Sequence, residues 1–262
     1  MSERKPFLVD VGIQNLPFPI KVLSKRSPEG QATVANYAIK ARIMKNFEAR
    51  WIDKFIQTAH KRRDNMGMVQ VKDNIADYIE ALQAKSVKIE ISYPYFIEKT
   101  TPVSKEPCLV KYNCKFVGQY PSLDGGVKLS YGTECPIITT YPLIGPDKKD
   151  RMCFPQLSIL NIEVESKENI YPEDIIELAD EHSLSPIYSF LSEEDQLHLI
   201  ERTKSKVRLS TEATDNVREA LAKNPDVSWY FVECSNLGML HNYSTIISTE
   251  KSFWVPGSYY DN

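Results

Sequence analysis

Three side chains of this sequence have the chemistry for catalysis or ligand binding: Cys135, Glu201 and His241. Cys135 precedes Pro136 at the end of a strand-like segment, where a thiol becomes a nucleophile or a metal ligand if a neighbouring group lowers its pKa. Glu201 falls in an amphipathic helical stretch, and His241 falls in the last apolar segment, where an imidazole could transfer a proton. Each also has a plain structural interpretation: a buried thiol, a solvated charge and a hydrogen-bonded histidine. Residue types alone leave both interpretations open.

Hydrophobic periodicity predicts the elements that position these side chains. The predicted strands cover residues 30–44, 86–100, 109–120, 127–141, 157–166 and a strand pair within 228–249. The predicted helices cover 49–63, 71–84, 171–181, 193–208 and 211–223. Helices that follow strands in each half predict an α+β fold, with helices on one face of an antiparallel sheet. In the last strand, strict alternation would put Met239, His241 and Tyr243 on one face.

Composition excludes several classes of protein. The 262 residues carry 32 Lys plus Arg against 35 Asp plus Glu, a net charge of −3, whereas nucleic-acid binders show a basic excess. No apolar run approaches the roughly 20 residues of a membrane span. The first residues lack an apolar signal core, so we expect a cytoplasmic protein. The five cysteines are irregularly spaced without a C-x-x-C pair, and we expect thiols rather than disulfides.

A further pattern extends from Glu181 to Ser244. It consists of Pro186-Ile-Tyr188, Asp195, Leu199-Ile-Glu201-Arg202, Asn224 to Trp229, Val232-Glu233, Asn236 and Leu240-His241-Asn242. Upstream, Glu134-Cys135-Pro136 and Gln31 to Ala35 add weaker matches. Together these residues resemble the type IB GTP cyclohydrolases. Those proteins are tandem tunnelling-fold (T-fold) enzymes that open GTP to dihydroneopterin triphosphate.

The resemblance implies an architecture and a set of roles. It implies two T-fold halves, at residues 20–140 and 150–250, in a homotetramer with its active site at or near a subunit interface. It assigns the Glu that holds the guanine edge to Glu201, an acid–base His to His241 and the family's Cys to Cys135. The expected partner is therefore a small-molecule heterocyclic substrate, with no nucleic acid and no membrane.

The sequence departs from the family at the metal site. The resemblance assigns a divalent metal, zinc or manganese, to a Cys, a His and a Glu, and those positions here hold Cys135, Asp147 and Pro186. Proline has no side-chain donor, whereas a catalytic zinc normally takes at least three protein ligands. His182 is the nearby imidazole that could substitute. We therefore expect no tightly held metal and no other cofactor. A second departure is Gly238, where the family has a Glu.

Three functions fit this sequence. The first is hydrolytic ring opening of GTP or a related purine or pterin, a reaction expected to need a metal-activated water. The second is a metal-independent enzyme that uses Cys135 as a covalent nucleophile on a different substrate, in specialised biosynthesis. The third is a non-catalytic homologue that binds a ligand or a partner subunit. Metal analysis combined with alkylation of Cys135 discriminates among the three.

Overall fold

A computed structural model describes residues 7–44, 51–121, 125–141, 154–238 and 241–251. Its elements are β1 (Leu8–Val22), β2 (Gln31–Met44), α1 (Trp51–Lys61), α2 (Met68–Leu82), β3 (Ser86–Thr100), β4 (Pro107–Tyr120), β5 (Lys128–Tyr141), β6 (Phe154–Ser166), α3 (Pro172–His182), β7 (Ser185–Pro186), α4 (Glu193–Ser205), α5 (Ser210–Lys223), β8 (Val227–Asn236) and β9 (Thr245–Glu250). The strands form one sheet in the order β1-β2-β3-β4-β5-β6-β8-β9, and β7 pairs with β5. The pairings β1–β2, β2–β3, β5–β7, β6–β8 and β8–β9 are antiparallel. The predicted α+β class is confirmed.

Most elements form where the periodicity predicts them. Strand β3 spans the predicted residues 86–100, because its odd-numbered side chains from Val87 to Ile97 are apolar and buried in alternation. Helix α2 ends at Gln83, which adopts φ 49° and donates its N–H to carbonyls of the last turn. Within the described ranges, no helix is long and apolar enough to cross a membrane.

Strand β1 is an element that the sequence does not predict. Pro17 and Pro19 interrupt its run, and proline cannot donate to a strand ladder. In the structure β1 lies at the edge of the sheet, where one side of the strand needs no N–H donor. A register shift between Ile13 and Leu16, with Asn15 at φ 55°, adds a bulge that obscures the alternation.

The chain divides into two compact units. The first comprises Met1–Tyr95, Asn113–Gly132 and Glu168–Pro172, and the second comprises Phe96–Tyr112, Thr133–Lys167 and Glu173–Asn262. In the first unit, α1 and α2 pack through the rings of Phe55 and Tyr78, whose centroids are 5.8 Å apart. The Tyr78 hydroxyl also donates to the Phe55 carbonyl at 3.1 Å. The T-fold halves at 20–140 and 150–250 stay a prediction.

In the second unit, a chain of polar side chains fixes the end of β8. The hydroxyls of Thr139 and Ser158, on β5 and β6, are hydrogen-bonded at 2.7 Å, and Ser158 donates to Asn236 Oδ1 at 2.8 Å. Asn236 Nδ2 donates in turn to Ser210 Oγ, at the start of α5, at 3.0 Å. Because Asn236 is the last residue of β8, these bonds fix the start of the loop that carries His241.

Candidate functional site

Cys135 lies within β5, with its side chain on the buried face of the strand. Alternation places Thr133, Ile137 and Thr139 on the same face, and all of these side chains are buried. Cys135 is a thiol rather than half of a disulfide, and none of its surface is exposed (0%). A substrate therefore cannot reach the sulfur in this conformation of a single chain.

The position that the resemblance assigns to a metal-binding Glu lies beside the strand of Cys135. Strand β7 pairs with β5 so that Pro186 stands opposite Ile137, and the Leu184 N–H donates to the Ile138 carbonyl at 2.9 Å. Directly opposed residues of an antiparallel pair project to the same face, so residue 186 shares the face of Cys135. A Glu at this position could point towards the sulfur, but proline offers no donor atom.

Three residues that the sequence analysis missed form a polar cluster in the second unit: Lys99 on β3, Tyr112 on β4 and Asp180 on α3. Lys99 Nζ forms an ion pair with Asp180, whose side chain is 18% exposed, while that of Lys99 is 10% exposed. The same Nζ lies 5.3 Å from the centroid of the Tyr112 ring. One signal was available: Lys99 continues the buried phase of Tyr95 and Ile97 along β3, and a lysine in that phase needs a buried partner.

The hydroxyl of Tyr112 is buried on β4, the strand next to the one that carries the predicted nucleophile. The residue is 1% exposed, and its hydroxyl has no hydrogen-bond partner among the described residues. Burial raises the pKa of Tyr112 well above its usual value, and the negative charge of Asp180 adds to this increase. Tyr112 and Cys135 lie on neighbouring strands of the sheet, β4 and β5. An unsatisfied buried hydroxyl costs about 1–3 kcal/mol, so the cluster holds a donor that a ligand could use.

Helix α4 carries Glu201, and Asp195 anchors its first turn. The Asp195 carboxylate accepts hydrogen bonds from the Val103 N–H at 2.8 Å, the Ser104 N–H at 3.0 Å and the Ser104 hydroxyl at 2.6 Å. It also closes a capping box with Ser192. Burial disfavours the charged carboxylate, but the hydrogen bonds from Ser104, Val103 and Ser192 outweigh it and hold the pKa of Asp195 well below its usual range. Asp195 thus ties α4 to the turn between β3 and β4.

Glu201 lies on the solvent side of α4 and is exposed. The residues of α4 that the second unit buries or half-buries include Asp195, Leu199 and Thr203, which recur every four positions. Helical geometry turns Glu201 by roughly 150° from this stripe. The carboxylate therefore meets a ligand or a neighbouring molecule from solvent.

His241 lies in a loop and not in a strand. Strand β8 ends at Asn236 and β9 begins at Thr245, so the predicted strand through His241 is wrong, as is its alternation with Tyr243. Met239, the third member of that predicted face, lies outside the described residues. The rings of His241 and Tyr243 nevertheless stack at 4.8 Å between centroids and 7° between planes, and both residues are exposed.

Gly238 explains why this segment forms a loop. A Cβ atom on Gly238 would lie 2.6 Å from the Tyr243 carbonyl oxygen and 2.9 Å from that of His241. The chain folds back so closely that only glycine fits without a shift of the backbone. Gly238 is thus part of the geometry that presents His241.

The remaining metal-ligand candidates do not complete a site in the described residues. His182 ends α3 and is half-buried, and Asp147 lies outside the described residues. In the ranges that the structure describes, no group of three His, Cys, Asp or Glu side chains is arranged to hold a metal ion. Of the predicted site residues, Cys135 is buried, whereas Glu201 and His241 are exposed, and their shared site stays a prediction.

The sequence also matches a family of known enzymes. A family model described as type I GTP cyclohydrolase folE2 matches residues 2–246. The chain belongs to this family. Membership makes it an enzyme of the cyclohydrolase type.

Individual relatives extend over most of the chain. The GTP cyclohydrolase FolE2 of Geobacter sp. (strain M21) is 28% identical over 245 residues, which cover 92% of this chain and 89% of the relative. The GTP cyclohydrolase FolE2 of Dictyoglomus turgidum is 28% identical over 253 residues, which cover 95% and 94% of the two chains. The similarity therefore includes both predicted halves.

Solved structures confirm the fold class. A hyperthermostable mutant of Bacillus sp. TB-90 urate oxidase superposes with a TM-score of 0.58 at 10% identity, covering 94% of this chain and 98% of that chain. A uricase from Bacillus fastidious superposes with a TM-score of 0.52 at 9% identity, covering 95% of this chain and 93% of that chain. Identity this low shows the fold alone, and that fold is the predicted tandem T-fold.

Proposed function

We propose that this chain catalyses the hydrolytic ring opening of GTP or of a related purine or pterin. The observation that carries the proposal is the family match over residues 2–246. Relatives named GTP cyclohydrolase FolE2, aligned over most of both chains, support it. We further propose that the protein is a diverged type IB enzyme, because its departures fall at the metal-ligand positions that the resemblance implies. We also propose that it acts in the cytoplasm.

In this proposal three side chains share the chemistry. Glu201 accepts two hydrogen bonds from the amino and ring N–H groups at the edge of the heterocycle. Cys135 acts as the nucleophile at the electrophilic ring carbon or as a residual metal ligand, and His241 moves the proton. The exposure of Glu201 and His241 suits groups that receive a ligand from solvent, and the Tyr112 hydroxyl adds a donor on the strand next to that of Cys135.

We propose that a homotetramer completes this site at a subunit interface. Strands β1 and β9 lie at the two edges of the sheet, and Leu197 on α4 and Ile246 on β9 are 55% and 62% exposed. Open edges and apolar patches of this kind favour association. Light scattering should give the mass of four chains. A stable monomer at micromolar concentration would contradict the proposal.

The donor set does not fit the family's metal. Residue 186 shares the face of Cys135 but is proline, so Cys135 lacks the carboxylate partner that the resemblance requires. We propose that the chain holds no divalent metal tightly. Elemental analysis after dialysis against EDTA should find less than one zinc or manganese per chain. A stoichiometric metal that survives EDTA would overturn the proposal, and His182→Ala would then test whether His182 replaces the missing ligand.

The proline at position 186 favours a second candidate, metal-independent use of Cys135 on a different heterocycle. In that case the sulfur adds to the electrophilic carbon without a metal-bound water. Iodoacetamide labelling in the presence and absence of EDTA tests it. Labelling of Cys135 that is unaffected by EDTA and blocks turnover supports this candidate, whereas protection of Cys135 by bound metal excludes it.

The ring-opening activity is tested with GTP and a panel of purines and pterins. Purified protein is incubated with each compound, once with added Zn²⁺ or Mn²⁺ and once with EDTA, and pterin products are detected by fluorescence after oxidation. We expect consumption of GTP or of one related compound with release of a ring-opened product. Complete recovery of every compound under both conditions would contradict the proposed function.

A further inference from the structure

The second unit contains a pocket that the proposed chemistry does not use. Its volume is about 270 Å³, and its walls are mainly apolar side chains of β5, α4 and the segment before β7, including Ile138, Leu184 and Leu199. Alternation along β5 directs Ile138 to the face opposite Cys135. Glu201 projects from the far side of α4. The pocket is therefore separate from Cys135 and from Glu201.

Most polar side chains that line the pocket already donate hydrogen bonds to backbone carbonyls. Gln196 donates to the Leu191 carbonyl at 3.2 Å, Thr203 donates to the Ile200 carbonyl at 2.6 Å, and Ser185 donates to the Pro186 carbonyl at 3.0 Å. These groups belong to the wall and leave little polar surface for a neutral polar ligand.

Arg202 is the exception among the described residues that line the pocket. It is the only charged one, and its Nε is buried without a hydrogen-bond partner among the described residues. Its backbone carbonyl accepts hydrogen bonds from the Lys206 N–H at 2.9 Å and from Ser205 Oγ at 3.1 Å, which holds the last turn of α4 that carries the guanidinium. A guanidinium beside an apolar cavity calls for an anionic partner.

We propose that this pocket binds a small apolar carboxylic acid. The carboxylate would accept paired hydrogen bonds from the Arg202 guanidinium, and an aromatic or branched body of on the order of ten to fifteen non-hydrogen atoms would fill the apolar walls. The proposal does not depend on the ring-opening activity, because no residue assigned to that activity lines the pocket.

The test uses 1-naphthoate and its neutral isostere 1-naphthamide, titrated into the full-length protein by calorimetry. We expect 1-naphthoate to bind at least about tenfold more tightly than 1-naphthamide, because only the acid pairs with the guanidinium. Arg202→Met should weaken 1-naphthoate by about tenfold or more and change 1-naphthamide by less than about twofold. Arg208→Met is the matched control: it removes a nearby arginine outside the pocket lining and should leave both affinities unchanged.

A second variant tests the location. Leu199→Trp should fill the cavity and abolish binding of both probes. If the thermal midpoint of Leu199→Trp is too low for the titration, Ile200→Phe is used for the same purpose. Absence of 1-naphthoate binding at millimolar concentration, equal effects of Arg202→Met and Arg208→Met, or full binding to both filled variants would overturn the proposal. An affinity that rises as the protein is diluted would show that a second copy of the chain occupies the pocket, and would also overturn it.

Discussion

At the scale of single residues, the candidate site combines side chains in opposite environments. Cys135 and Tyr112 are buried, whereas Glu201 and His241 are exposed. The sequence identifies Cys135, Glu201 and His241 by residue type and by family resemblance. It does not identify Lys99, Tyr112 and Asp180, because their proximity depends on the packing of β3, β4 and α3, which no local pattern encodes.

The role of Glu201 is tested by Glu201→Gln. If the carboxylate accepts hydrogen bonds from the heterocycle, the change should weaken substrate binding by about 1.5–3 kcal/mol, the range for a hydrogen bond to a charged group. Equilibrium titration with the substrate measures this loss. Glu194→Gln, at another exposed position on α4, should leave the affinity unchanged. Equal affinities for all three proteins would exclude Glu201 from the binding site.

Tyr112→Phe separates a functional hydroxyl from a structural one. The Tyr112 hydroxyl has no partner among the described residues, so its removal should leave the free energy of unfolding unchanged or raise it by about 1 kcal/mol. Turnover should fall by about tenfold if substrate uses the donor. Tyr78→Phe breaks the bond to the Phe55 carbonyl and should show the reverse, a loss of about 1 kcal/mol in stability with normal turnover. Destabilisation of Tyr112→Phe with normal turnover would contradict the assignment.

At the scale of elements, periodicity predicts regular segments and fails where chain geometry is special. The bounds of β3 follow from uninterrupted alternation. Strand β1 is missed because Pro17 and Pro19 are tolerated only at an edge, and the edge position is a property of the whole sheet. The segment with His241 contains strand-forming residues, but the close approach at Gly238 folds it into a loop.

The loop position of His241 leads to a kinetic prediction. His241→Asn should lower kcat by about a hundredfold and change KM by less than about threefold, because a proton-transfer group acts in the transition state. His198→Asn, at an exposed position on α4, should have little effect on either. A rise in KM with unchanged kcat would assign His241 to binding instead.

The hydrogen bonds of Asp195 lead us to expect that the stability of α4, and of the turn between β3 and β4 that Asp195 anchors, depends on pH. Its pKa is held below the usual range, so its stabilisation is complete above the unfolded pKa of about 4 and is lost as the pH falls below that value. Asp195→Asn should lower the thermal midpoint by about 5 °C at pH 7, because an amide nitrogen would face hydrogen-bond donors. The difference from the unmodified protein should shrink on acidification.

The control for this experiment is Glu194→Gln, an exposed acid in the same helical turn. Its thermal midpoint should follow that of the unmodified protein at every pH. A constant difference between Asp195→Asn and the unmodified protein from pH 7 to pH 3 would contradict the assigned linkage.

At the scale of the whole molecule, local pattern and resemblance give different information. The order of strands and helices predicts the α+β class, which the sheet confirms. The pairing of β7 with β5 is not predictable from pattern, because it joins Pro186 to Ile137 across a long stretch of chain. That pairing puts residue 186, a proline, on the face of Cys135.

The central claim, that this chain is a cyclohydrolase that depends on Cys135, is tested most directly by comparing Cys135→Ala with Cys234→Ala. Both thiols are fully buried at 0% exposure, so each change should cost only about 1 kcal/mol of stability. In the GTP and heterocycle assay, Cys135→Ala should abolish turnover, whereas Cys234→Ala should retain it. Folded Cys135→Ala protein with the turnover of the Cys234→Ala control would contradict the claim.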